Sequence, residues 1–100
     1  MKILLAYYVL SAISNDYEDL EMVSQEVLKW TAEDNLDVRH DQIVETLHLL
    51  IASGYAYAYI KRSGSSSPER VDFSPQCAHT YYFLVTEAGK RLVKDLDALS

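Results

Sequence analysis

Leu50-Ile51-Ala52-Ser53-Gly54-Tyr55-Ala56-Tyr57-Ala58-Tyr59-Ile60 holds a change of period. Before Gly54, apolar residues recur at helical spacing as Ile43, Val44, Leu47, Leu50 and Ile51. After it they alternate by two, with Tyr55, Tyr57 and Tyr59 on one side and Ala56, Ala58 and Ile60 on the other. The first pattern is one face of an α-helix and the second is a β-strand. Gly54 stands where a helix needs a left-handed residue to stop. The reading is a helix over 39–53, capped by Asp37 or by His40-Asp41, and a strand over 55–60.

Upstream, residues 17–33 read as a second helix with Leu20, Val23, Val27, Leu28 and Trp30 as its stripe. Asp16, Glu18, Asp19 and Glu21 crowd its start, where carboxylates suit the positive end of the helix dipole. Asp34-Asn35 breaks it. Residues 2–14 are apolar nearly all round, so this first helix is either central to the core or covered by a second subunit. Lys2 followed by Ile3 to Leu10 has some of the character of a secretory leader, but a core helix is the preferred reading.

Downstream, the segment 63–79 begins Ser63-Gly64-Ser65-Ser66-Ser67-Pro68 and reads as a flexible loop. Thr80 to Val85 is rich in β-formers and gives a second strand. Thr86 is placed to cap a last helix with Leu92, Val93, Leu96 and Leu99 as its stripe.

The 100 residues make one domain, and a hydrophobic fraction of 49% is enough for a packed core. Two Pro and three Gly favour a few long elements over many short strands. The lone Cys77 cannot form an internal disulfide, and no run is long enough to span a membrane, so a cytoplasmic location is the expectation. The net charge is -6, unevenly spread. Residues 1–60 carry 3 Lys/Arg against 10 Asp/Glu, whereas residues 61–100 carry 6 against 5. A negative field of this kind repels nucleic acid at long range.

The order is three helices, a strand, a long loop, a strand and a helix, an α+β fold that is mainly α. It resembles the winged helix-turn-helix superfamily, with a two-stranded β wing and a C-terminal helix. Two stretches carry the likeness. Asp41 to Tyr55 is similar to a recognition helix closed by Gly and an apolar residue entering the wing. Tyr81-Tyr82-Phe83-Leu84-Val85-Thr86-Glu87-Ala88-Gly89-Lys90 is similar to the segment of PadR-like and MarR-like transcription regulators where the wing turns into the last helix. The resemblance implies a DNA-binding regulator of double-stranded DNA, needing no cofactor. It implies base reading by Gln42, Glu45, Thr46 and His48, and phosphate anchoring by Arg39, Lys61, Arg62 and Arg70.

The chain departs from that pattern in its charges. Between Asp41 and Ser53 there is no Lys or Arg, only Asp41 and Glu45. The alternative reading is therefore a winged-helix protein-interaction module without DNA binding. An enzyme is not expected, because no strained nucleophile turn or Gly-rich phosphate loop occurs. Cys77, His79 and His40 are too few and too irregularly spaced for a structural zinc site. The apolar first helix and Leu49, which points away from the stripe of its own helix, raise the expectation of a homodimer. The eight tyrosines are cross-strand packing or, if one row is left uncovered, a platform for a partner.

Overall fold

A computed structural model describes residues 3–61, 64 and 67–98. Its elements are α1 (Ile3–Ala12), β1 (Glu18–Asp19), α2 (Leu20–Glu33), α3 (His40–Ala52), β2 (Ala56–Ile60), β3 (Glu69–Val71), a 3-10 segment (Pro75–Thr80), β4 (Tyr82–Val85) and α4 (Glu87–Ala98). The strands form one antiparallel sheet in the order β1-β4-β2-β3.

Helix α1 is central. Leu5, Ala6, Tyr8, Val9, Leu10 and Ile13 are buried, and α2, α3 and α4 all pack on it. Of the two fates open to an all-apolar helix, burial by its own chain is the one realised, although Leu4 stays 48% exposed. The Val85 amide donates to the Ile13 carbonyl and ties the end of α1 to β4. The Tyr8 hydroxyl donates to Asp34 just beyond α2. That bond, then burial, then the Asp34 charge push the Tyr8 hydroxyl up to about 12.

Helix α2 starts three residues later than its sequence pattern implies. Asp19 is the N-cap, its carboxylate accepting from the Met22 amide at 2.9 Å. Glu18 and Asp19 are taken up by pairing with Phe83 and Tyr82. Val23, Val27 and Leu20 are buried as expected, while Leu28 stays 38% exposed. The helix ends with Asn35 at φ +58, a left-handed conformation that Asn tolerates. The Leu36 amide then reaches back to the Thr31 carbonyl.

Helix α3 buries Ile43, Thr46, Leu47 and Leu50. Its N-cap is Arg39, not Asp37 or His40-Asp41, and the Gln42 side chain reaches back to accept the Arg39 amide at 2.8 Å. Gly54 closes it at φ +82 while the Tyr55 amide returns to the Leu50 carbonyl.

The hairpin differs most from expectation. Strand β2 pairs with β4 and also with β3, which lies inside the stretch read as loop over 63–79. That stretch also holds most of the 3-10 segment, which shortens the second expected strand to Tyr82–Val85. The two strands expected as a wing are thus part of a four-stranded sheet. Ser63, Ser65 and Ser66 of the expected loop, and Leu99 of the last stripe, lie outside the described residues.

Within β2 the alternation decides the layering. Ala56 and Ala58 are buried against the helical core with Phe83 and Val85, and Tyr57 and Tyr59 face outward. At the corner into α4, Thr86 donates to the Gly54 carbonyl at 2.7 Å and accepts from the Gly89 amide at 3.1 Å, capping the helix. Gly89 lies so close to the Tyr55 carbonyl and Val85 that a Cβ there would clash with both.

Candidate interaction face

The exposed stripe of α3 consists of Asp41, Glu45, His48 and Ala52, with Leu49 alongside at 38% exposure. These positions recur three or four residues apart and so form one ridge along the helix. The ridge carries two carboxylates and an imidazole. His48 lies against Phe73 with ring centroids 5.7 Å apart, and Phe73 in turn packs on Tyr81 and Phe83. The aromatic residues thereby connect the ridge to the core.

The residues expected to read or anchor DNA do not converge. Glu45 and His48 share the ridge. Gln42 is half-buried, and its side-chain oxygen is engaged by the Arg39 amide. Thr46 is 4% exposed and its hydroxyl donates to the Gln42 carbonyl at 2.8 Å. Arg39 is exposed, but its Nε lies 3.2 Å from Asp41 Oδ1. The Arg39 side chain holds the Asp41 carboxyl below the usual carboxylate range. Lys61 is exposed just past β2, and Arg62 lies outside the described residues. Arg70 is on β3, opposite Tyr59, with its guanidinium carbon 3.5 Å from the centre of the Tyr57 ring.

Beside the ridge runs a groove that spacing alone does not reveal. An open hollow of about 420 Å³ lies along the first turns of α2, lined by Asp19, Glu21, Ser24 and Leu28, among others. A second, of about 330 Å³, extends past Asp41 and Val44 to Pro75. Leu20, His40 and His79 line both, so the two are continuous. The floor is apolar, the rim carries Asp19, Glu21 and Asp41, and no Lys or Arg lines either hollow. Ser24 Oγ and His40 Nδ1 are 3.2 Å apart and link α2 to the start of α3. On β1, just before α2, burial pushes the Glu18 carboxyl up, and the charges of Asp16, Glu26 and Asp19 add to it.

The acidic run 16–21 was the one signal for this groove, and it was legible only as a complement to the helix dipole. The contribution of His79, from a distant segment, had no local signature. Among the described residues, no three His, Cys, Asp or Glu side chains group as a metal ion would need, and Cys77 is a free, exposed thiol. No helix among the described residues is long and apolar enough to cross a membrane. Comparison with protein-family models, with curated proteins and with solved structures gives no match.

Proposed function

We propose that this chain is a winged-helix module that works through protein contacts, offering the α2–α3 groove and the α3 ridge to a basic partner. The observation that carries this reading is the charge of the face. Asp19, Glu21 and Asp41 line the groove with no Lys or Arg among its lining residues, Glu45 is exposed on the ridge, and Arg39, at the start of α3, is paired with Asp41.

The electrostatics favour this over phosphate binding. A carboxylate held roughly 5 Å from a phosphate is repelled by about 0.8 kcal/mol even at the dielectric constant of water, and by more at a partly dried interface. Duplex binding draws most of its nonspecific affinity from cations that release counterions, and α3 supplies none. Gln42 and Thr46, two of the four candidate base readers, are committed to bonds within the helix. A basic amphipathic segment has the converse character: apolar residues for the floor of Leu20 and Val44, cations for the rim.

Chemical-shift mapping with a short Lys/Arg-rich amphipathic peptide tests the proposal. The expected shifts centre on Leu20, His40, Val44 and His79, and weaken with added salt. A peptide that binds nowhere, or binds elsewhere, contradicts it.

A DNA-binding regulator is the second reading. The order of three helices, hairpin and helix favours it, as do the cations Lys61 and Arg70 beside the hairpin. In that case Lys61→Ala with Arg62→Ala weakens duplex binding and flattens its salt dependence. An unchanged slope rejects it.

A further inference from the structure

Two of the three histidines of the chain share the α2–α3 groove. His40 opens α3, His79 stands on the 3-10 segment, and both line both hollows. Both are exposed, so solvent protons and a bound partner reach the same rings. His48, the third, lies on the ridge against Phe73 and lines neither hollow.

The charged groups that face the two rings are all carboxylates. Asp19 at the α2 cap and Glu21 in its first turn line one hollow, and Asp41 of α3 lines the other. The 3-10 segment, which packs on both helices, adds only the uncharged Pro75, Gln76 and Ala78 beside His79. Arg39, next to His40 in the chain, is turned to Asp41. Glu18 lines neither hollow.

Histidine is the side chain whose charge ordinarily changes between about pH 5 and about pH 8. Carboxylates ordinarily give up their protons near pH 4, about one unit below that window. Within it, the groove lining goes from three net negative charges, with both rings neutral, to one, with both protonated. The change needs no rearrangement. Ser24 Oγ is 3.2 Å from His40 Nδ1, and a hydroxyl donates to a bare ring nitrogen or accepts from a protonated one.

We propose that His40 and His79 make capture of a basic partner pH-dependent, firm while both rings are neutral and weakened once both are protonated. This rests on the reading of the groove as a site for a basic amphipathic segment. A partner cation drawn to Asp19, Glu21 and Asp41 then meets two imidazolium charges in the same groove. Each like charge roughly 5 Å away costs about a factor of four in water, so the two together weaken binding on the order of tenfold. By linkage, the bound partner lowers the proton affinity of both rings in the same measure.

Isothermal titration of the whole chain with an amphipathic peptide of Leu, Lys and Arg, acetylated at its start, tests the proposal. Such a peptide has no group that titrates in the window. At constant ionic strength, the Kd should rise on the order of tenfold from about pH 8 to about pH 5.5. His40→Gln with His79→Gln should bind equally at both pH values, His79→Gln alone should lose part of the dependence, and His48→Gln should keep it. His79→Lys, with its fixed charge, should bind more weakly than the unaltered chain at about pH 8. Thermal melting at both pH values verifies that the variants stay folded. Equal binding of the unaltered chain at both pH values overturns the inference and leaves the groove reading standing. A dependence that survives in the His40 and His79 variants overturns it as well. No binding at either pH rejects the groove reading and this inference with it.

Discussion

The two sides of β2 invert the usual relation between size and burial. Ala56 and Ala58 are at most 1% exposed, while the far larger Tyr57 and Tyr59 of the same strand keep part of their surface in water. The helical side has room only for small side chains, because Phe83, Val85 and the stripe of α3 already fill it. On the outer side Tyr59 meets the Tyr17 ring and Tyr57 meets the Arg70 guanidinium. Apolar area alone therefore does not choose the buried side of a strand. The available volume does, and a large aromatic row turned outward becomes a feature available for binding.

The largest expected effects break this contrast from the inside. Phe83→Ala removes a fully buried ring and should destabilise the fold by about 3–5 kcal/mol, read by urea unfolding. Tyr82→Ala, its outward neighbour, should lose no more than about 1 kcal/mol, within the range of cross-strand pair energies. Equal losses would mean that the outer rings are as structural as the core.

Next comes overfilling. Ala58→Leu should destabilise by roughly 1–3 kcal/mol, because Ala58 is buried and paired on either side with Phe83 and Val71. Gly89→Ala should fall in the same range of roughly 1–3 kcal/mol, since its new methyl meets the Tyr55 backbone, which cannot rotate away.

How far was this legible in the sequence? Helix α3, its stop at Gly54 and the alternation of β2 could be read, because each rests on a period sustained over several residues. The alternation established that tyrosines and alanines face opposite ways but not which way is inward, since that depends on the volume left by α1 and α3. Strands β1 and β3 were not legible. Two or three residues such as Glu18-Asp19 or Glu69-Arg70-Val71 carry no period, and pairing alone makes them strands. The withdrawal of Gln42 was equally hidden, because it follows from the geometry of the α3 cap, whereas Thr46 is buried on the same side as Ile43 and Leu50. The groove joins Asp19 to His79, two residues that no local pattern connects.

A smaller effect concerns pH. The Tyr8 hydroxyl is raised from about 10 to about 12, chiefly by its bond to Asp34, so the folded state holds this proton more tightly than the unfolded chain does. Its contribution is complete below pH 10 and is lost as the pH rises to about 12. Tyr8→Phe should flatten the alkaline limb of the stability curve; an unaltered limb would mean that the bond does not form in solution. The smallest effect is that of Arg70→Asp on stability, expected within about 0.5 kcal/mol by urea unfolding.

The central claim is that the α3 face is too acidic for phosphate, and fluorescence anisotropy with mixed-sequence duplex DNA across a salt series tests it most directly. The account predicts no binding even at the lowest salt. Tight binding at low salt that falls steeply as salt is added would contradict it and return the chain to the DNA-binding regulators.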